Sequence, residues 1–449
     1  MNISIIGTGY VGLVTGTCFA EVGHNILCID QDLSKIEALR AGRVPIFEPQ
    51  LAEMIARNSA AGRLQFSTST ADAVAHGEII FIAVHTPPKP DGSSDMQFID
   101  TVARQIASHL DSRYRIIADK STVPVQTGDE VARVIRETAR PGADFDVISN
   151  PEFMREGSAV ADQMNPDRIV VGLPKKSGEL VRRAEPKLRE LFAPWITKGA
   201  PFLVTDIASA ELIKHAANSF LSLKISYVNA LAHICELSGA DITQVADGMG
   251  LDKRIGRSFL NAGIGYGGSC FPKDIAGFLH IARDLGCDFR LLAEVQLINE
   301  QALERFLGKI RTAFSPANSG PRRIRPLSEK TFAVLGIAFK PNTDDIRNAP
   351  ALALISALQA DGARVRAYDP QAMDRARSVT KDVVFCRDAY DAAEGADALI
   401  IATEWEEFRR LDLNQIKSKL RQPYIFDGRN LFDPATMKAA GFHYVSVGR

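Results

Sequence analysis

Apolar strands alternate with helices at both ends of this chain, and a helix-period run of some thirty residues lies between them. That order predicts an α/β protein: two Rossmann-like, doubly wound domains joined by a long central helix. At 449 residues the chain is too long for one core, so several domains are expected. The expected boundaries are 1–200, 201–312 and 313–449.

The first domain opens with a short apolar strand at Asn2–Ile6 that runs into Gly7-Thr8-Gly9-Tyr10-Val11-Gly12. A helix follows to about Val22, and a second apolar strand at Asn25–Ile29 ends on Asp30. Strand, G-x-G-x-x-G, helix, strand, acid is the dinucleotide-binding order. Gly7 permits the tight turn, Gly9 lets backbone N–H groups approach a pyrophosphate, and Gly12 allows close helix–strand packing. Asp30 is placed to accept the ribose hydroxyls and to repel a 2′-phosphate. That favours NAD over NADP, although Lys35 nearby weakens the preference.

Further strands are expected at 78–84, 115–119 and 146–149. The first is nearly continuous in apolar residues, as a buried parallel strand requires, and ends in His85-Thr86-Pro87-Pro88. The second ends in Lys120-Ser121-Thr122-Val123-Pro124. The third leads into Asn150-Pro151-Glu152-Phe153-Met154-Arg155-Glu156-Gly157. Ligands of open α/β sheets bind at strand carboxyl ends. A helical turn there would set Glu152 and Glu156 on one side. His85 reads as a plain loop residue.

Apolar residues then recur at spacings of three and four from 208 to 237, with Ser238-Gly239 as the stop. Thirty helical residues span about 45 Å, long enough to connect two domains and face a second subunit. Lys214 and Asn218 stand four apart on it, either as a solvated lysine beside a helix asparagine or as two donors aimed at one oxygen. Beyond the helix lies Gly-Ile-Gly-Tyr-Gly-Gly-Ser-Cys-Phe-Pro-Lys-Asp at 263–274. Pro272 reads as the first turn of a helix, which puts the Cys270 thiol at the positive end of a macrodipole beside Lys273. Its pKa is expected to fall toward neutrality, the preparation of a nucleophile. Asp274, four residues on, shares its face. The other cysteines, at 18, 28, 235, 287 and 386, sit in apolar runs and read as buried and structural.

Residues 313–330, rich in Pro, Ser, Gly and Arg, read as a linker. A second α/β pattern follows, with strands at 331–335, 364–368, 398–402 and 424–427 and a helix at 350–358. Its first turn, Gly336-Ile337-Ala338-Phe339, breaks the fingerprint, so a second NAD is not expected. Lys340, Arg347 and Arg429 at strand ends suit the phosphates of another ligand, or surface salt bridges.

The net charge of −1 offers no electrostatic case for nucleic acid or an anionic membrane as partner. No apolar run reaches the length of a membrane span. Six scattered cysteines form neither a disulfide framework nor paired metal-ligand spacing. A cytoplasmic protein without a structural metal is expected.

The segments at 7–12, 120–124, 150–157, 211–218, 263–274, 336–347 and 426–429 resemble, in content and order, the UDP-glucose/GDP-mannose dehydrogenase family. The resemblance implies an NAD domain, a helical dimerisation segment and a C-terminal UDP-binding domain. It implies oxidation of a sugar C6 hydroxyl to a carboxylate in two steps, with two NAD. Cys270 resembles the family's nucleophile, which holds the aldehyde as a thiohemiacetal and then a thioester. Lys214 and Asn218 resemble donors to the C6 oxyanion, and Asp274, with Thr122 and a water, the general base. Glu152 is similar to the residue that assists thioester hydrolysis. Gly7, Gly9, Val11, Gly12, Asp30, Lys35, Thr86, Thr122, Glu156, Lys273 and Arg347 are implied to touch NAD. The implied substrate contacts are Glu152 with Phe153, Met154, Arg155 and Glu156, then Lys214, Asn218, Lys340 and Arg429. Phe259, Leu260, Asn261, Ala262, Gly263 and Gly267 resemble the loop that lines the sugar nucleotide, and Arg254 an arginine supplied by the neighbouring subunit of a homodimer or larger assembly. His85 and Met154 depart from the family pattern. Thr86-Pro87-Pro88, Cys270-Phe271-Pro272 and Phe426-Asp427-Gly428-Arg429 look most like the branch acting on UDP-glucose. GDP-mannose and UDP-N-acetylmannosamine are the alternative substrates. A non-catalytic NAD-binding sensor is the competing reading.

Overall fold

A computed structural model describes residues 1–314 and 327–449. Most of the linker expected at 313–330 lies outside the described residues. The chain forms two compact units, Met1–Ala217 with Ala276–Cys287, and Asn218–Ile275 with Asp288–Arg449.

The first unit is built on an eight-stranded sheet. Its strands are β1 (Asn2–Ile6), β2 (Asn25–Ile29), β3 (Leu64–Ser67), β4 (Ile79–Ile82), β5 (Arg115–Asp119), β6 (Phe145–Ser149), β7 (Ile169–Leu173) and β10 (Phe202–Asp206). A short antiparallel hairpin, β8 (Lys175–Lys176) and β9 (Glu179–Leu180), stands apart. The strand order is β10-β7-β6-β5-β4-β1-β2-β3, so the direction of winding reverses between β1 and β4. β6 and β7 pair antiparallel and the other neighbours in the sheet pair parallel. Ile79, Ile80, Phe81 and Ile82 are fully buried, as befits a strand covered by helices on both faces. One face packs Phe19 against Phe81 and Trp195, with ring centroids 5.5 and 5.7 Å apart. Such pairs add to plain area burial.

The second unit carries a six-stranded parallel sheet of order β13-β12-β11-β14-β15-β16. Its members are β11 (Thr331–Leu335), β12 (Arg364–Tyr368), β13 (Val383–Phe385), β14 (Ala398–Ile401), β15 (Tyr424–Asp427) and β16 (His443–Val445). The first turn differs from that of β1. Asp369, after β12, is 1% exposed. Its Oδ2 accepts the N–H groups of Ile337 and Ala338 and the indole N–H of Trp405, at 2.7, 3.0 and 3.1 Å. The acid that would meet a ribose is consumed by the protein's own donors.

The long helix runs from Ile207 to Ser238, 32 residues. Phe220, Tyr227 and Ile234, seven apart, are 61%, 50% and 57% exposed, and Leu237 is 77% exposed. Cys18, Cys28, Cys235 and Cys386 are buried as expected, but Cys287 is exposed. Gly286, at φ +74°, turns the chain out of the Cys270–Asp284 helix and leaves Cys287 at the surface.

Candidate active site

The cofactor cradle lies in the first unit. Gly7 takes φ +103°, and a Cβ there would stand 2.4 Å from the Ala83 carbonyl oxygen; one at Gly12 would stand 1.9 Å from the Gly7 oxygen. Neither position tolerates a side chain, so the backbone from β1 runs tight against the end of β4. The helix Tyr10–Glu21 starts at Gly9 with no capping side chain and no acid in its first turn, an open N-terminus of the kind that binds phosphate. Val11 sits in that first turn, partly exposed. Asp30 Oδ2 accepts from Thr8 N–H at 2.9 Å and Thr8 Oγ1 at 2.8 Å, and pairs with Lys35 Nζ at 3.1 Å. Burial pushes the Asp30 pKa up, but these donors and the Asp32 N–H outweigh it and hold the carboxyl below its ordinary value. Lys35 is thus engaged with the acid itself. Thr86 is buried and its hydroxyl donates to the Thr122 carbonyl at 2.8 Å. His85, read as a plain loop residue, brings its ring to within 3.4 Å of where a Gly9 Cβ would stand. These residues fit a bound NAD.

The expected helical turn at 152–156 does not form; the segment after β6 is irregular. Glu152 instead folds back on its own loop, its Oε2 accepting the Met154 N–H at 2.6 Å. Its Oε1 receives Lys214 Nζ at 2.8 Å, and both side chains are 5% exposed. The Lys214 ammonium also lies 5.6 Å from the Phe153 ring centroid. A solvated lysine is therefore excluded. Glu156 is partly buried, while Arg155 points outward to an ion pair with Asp162 at 2.6 Å. Lys120, 4% exposed, donates to Asn150 Oδ1 at 3.1 Å. Burial lowers its pKa to about 8, the Glu152 charge opposing that shift and the Lys214 charge adding to it. A cleft of about 330 Å³ opens here, lined by Lys120, Asn150, Glu152, Phe153, Met154 and Arg168 among others.

In the second unit Cys270 is the first residue of the Cys270–Asp284 helix and is half-buried. Cys28, fully buried, is pushed up to about 12 by burial. Ser269 Oγ lies 3.6 Å from Cys270 Sγ. Asp274 is 3% exposed and held on both oxygens: Asn218 Nδ2 donates to Oδ2 at 2.6 Å, and Lys273 Nζ lies 2.7 Å from Oδ1. The charge of Lys273 is therefore opposed by its neighbour before it reaches the thiol. The glycine loop fits closely. A Cβ on Gly267 would stand 2.1 Å from the Asn348 oxygen, and one on Gly268, at φ +86°, 2.7 Å from the Phe339 ring.

Arg429 is largely occupied, donating to the Ala402 and Gly265 carbonyls at 2.9 Å each. It fixes the loop that begins at Gly263, whose N–H is bound by Asn229 Oδ1 at 2.8 Å. Phe259 takes φ +65°. Leu260 and Ala262 are buried, and Asn261 accepts from Arg257. Lys340 lies 5.4 Å from the Phe339 ring. Arg347 is paired with Asp345 at 2.6 Å, and Arg254 with Asp252, the Arg254 side chain 89% exposed.

Sequence reasoning missed Glu48, 5% exposed. Its carboxylate accepts from Tyr10 OH and from the N–H groups of Gly157 and Ala159, both at 2.7 Å, tying the fingerprint helix to the Glu152 loop. Contacts across some hundred residues leave no local signal in a single sequence.

An open helix N-terminus beside a strand-end acid, on a doubly wound sheet, defines a dinucleotide-binding protein. Comparison with known proteins narrows this. Profiles of the UDP-glucose/GDP-mannose dehydrogenase family match the NAD binding domain over residues 1–196, the central domain over 208–301 and the UDP binding domain over 333–434. A UDP-glucose 6-dehydrogenase of Rhizobium meliloti is 45% identical over 450 residues, covering all of both chains. One of Bacillus subtilis is 45% identical, covering all of this chain and 93% of its own. The structure of a UDP-glucose dehydrogenase from Pyrobaculum islandicum, 38% identical, superposes with a TM-score of 0.87 over 99% of this chain and 97% of that one. The chain belongs to the UDP-glucose/GDP-mannose dehydrogenase family, and its cofactor is NAD. Among the described residues no helix is long and apolar enough to cross a membrane.

Proposed function

We propose that this enzyme oxidises UDP-glucose to UDP-glucuronate in two steps, with Cys270 as covalent nucleophile. The observation that carries the reading is Cys270 as the half-buried first residue of a 15-residue helix, where a thiolate is favoured. NAD, when bound, supplies the hydride acceptor for each oxidation. In the first step Asp274, with Thr122 and a water, takes the C6 hydroxyl proton as the hydride leaves carbon. The Cys270 thiolate then adds to the aldehyde carbon, giving a thiohemiacetal oxyanion to which Lys214 and Asn218 donate. Loss of the second hydride leaves a thioester on Cys270. Glu152 assists water in attacking it, which frees the carboxylate and restores the thiolate. The Lys214–Glu152 contact, 2.8 Å long, holds the donor and the hydrolytic carboxylate side by side in one buried place.

Arg429 and Lys340 serve the nucleotide half, the first through the loop it holds. The exposed apolar stripe of the long helix supports a homodimer, and the unburied Arg254 is the arginine such a dimer would lend to its neighbour. A reactive thiol outside any disulfide suits the reducing cytoplasm.

The test is stoichiometry. The enzyme should yield two NADH per UDP-glucose, whereas Cys270→Ser should lower acid formation by about a thousandfold or more while NAD binding, followed by fluorescence, stays within about twofold. One NADH and free aldehyde from the unaltered enzyme would refute the covalent route.

A further inference from the structure

Glu211 lies one turn before Lys214 on the long helix and is 3% exposed. Both its carboxylate oxygens serve another element: Oε2 accepts the Gln126 N–H at 2.6 Å and Oε1 the Gly128 N–H at 2.9 Å. One turn further on, His215 Nε2 lies 2.8 Å from the Val123 carbonyl oxygen. A carbonyl can only accept, so that nitrogen carries the proton. From the other side Thr86 Oγ1 donates to the Thr122 carbonyl at 2.8 Å. Four backbone atoms between Thr122 and Gly128 are thus tied down. The fit is close: a Cβ on Gly128 would stand 2.8 Å from Ile207 Cγ2. It is also strained, since Gln126, a residue with a side chain, sits at φ +76°. Gln126 starts the Thr127–Thr138 helix without a side-chain cap, and Glu211 takes over that duty from a distance of 85 residues.

We propose that Glu211 is a positioning residue. Its ionised carboxylate clamps the 122–128 segment onto the helix that carries Lys214, and so fixes Thr122 for proton removal. The inference rests on the reading that Thr122 acts in the oxidation. The sign of its pH dependence follows from acceptor count. Only a carboxylate accepts from both amides; a proton on one oxygen removes one acceptor. Burial raises the Glu211 pKa to about 7, against the lowering effect of the Gly128 and Gln126 amides. Asp119, at the end of β5, and Asp129, in the first turn of the Thr127–Thr138 helix, face it. His215 and Lys214 follow on its own helix. The clamp therefore slackens as pH falls through about 7.

The experiment compares the full-length enzyme with Glu211→Gln, Glu211→Asp, Thr122→Ala and the double variant Glu211→Gln/Thr122→Ala. Steady-state kinetics are run from pH 6 to 9, with hydrogen exchange of segment 120–128 by mass spectrometry. A glutamine offers one acceptor and turns an NH₂ toward the second amide. Glu211→Gln should lower kcat about tenfold, leave KM for UDP-glucose within about twofold, abolish the acid limb near pH 7 and speed exchange at Gln126 and Gly128. The double variant should be no slower than Thr122→Ala. Glu211→Asp, too short to reach both amides, should fall between and stands in should the glutamine variant not fold. Unchanged kcat with an unmoved limb, or losses that multiply in the double variant, would overturn the proposal. If the unaltered enzyme fails to oxidise UDP-glucose, the functional reading is at fault; the exchange data then decide the clamp alone.

Discussion

Lys214 and Glu152 show what a buried ion pair does at the scale of single residues. At 5% side-chain exposure each, the two groups have given up most of their hydration, and their mutual contact, the Met154 N–H and the Phe153 ring help to compensate. Such a pair is a poor way to gain stability and a good way to hold two charges ready in a dry cleft. Removing one partner strands the other. Lys214→Met should destabilise the fold by about 3 kcal/mol, read as a lower urea midpoint. Lys214→Met/Glu152→Leu should recover most of that loss and stay inactive. A double variant as unstable as the single one would mean that packing, not charge, is what the lysine supplies. The pair itself was only half legible. A lysine and an asparagine four apart on a helix announce a shared face, but nothing local reveals that a carboxylate 62 positions earlier fills the space before the ammonium.

Elements were legible where one local force decides them. The strands Asn2–Ile6, Asn25–Ile29, Arg115–Asp119 and Tyr424–Asp427 are largely apolar runs stopped by a glycine or an acid, Arg364–Tyr368 alternates polar and apolar residues before Asp369, and all five stand where expected. β3, β7, β10, β13 and β16 were not read. β3 and β16 are short and partly polar, β13 is only three residues long, and β7 and β10 extend the sheet only because β7 enters it reversed against β6, which is a tertiary decision. The turn expected at Glu152 to Glu156 failed for a related reason: each end of that segment has a better partner than its own helix. Glu152 takes Lys214, and Gly157 takes Glu48. The long helix was read nearly to its ends, yet periodicity could not say which apolar positions stay uncovered. Phe220, Tyr227 and Ile234 form that uncovered stripe. Tyr227→Asp/Ile234→Asp should convert the proposed dimer to monomer by light scattering. It should also cut kcat/KM by roughly thirtyfold, the cost of about 2 kcal/mol for losing one charged contact to the substrate. A monomeric wild-type enzyme with full activity would argue against the assembly.

For the whole molecule, the outstanding choice is the sugar. The three candidate substrates all carry a diphosphate and a hexose and differ at C2 of the sugar or in the base, so discrimination must come from the groups that meet those positions. A site that hydrogen-bonds one pattern rejects the other by leaving its own polar groups unpaired. The kcat/KM for UDP-glucose is expected to exceed that for GDP-mannose and UDP-N-acetylmannosamine by at least a hundredfold. Equal rates across the three would leave the family assignment intact and remove the substrate assignment.

The same architecture occurs twice along this chain, and Asp369 separates the copies. In the first copy the acid after the second strand is only partly buried; in the second it is walled in by five donors, two from the Gly336 turn, one from Trp405, and the N–H groups of Gln371 and Ala372. Rewriting Gly336-Ile337-Ala338-Phe339 into a full glycine fingerprint would therefore not install a nicotinamide coenzyme there. The engineer would first have to dismantle the lock that the indole and the two loop amides keep on that carboxylate, and in doing so would loosen the turn being repurposed.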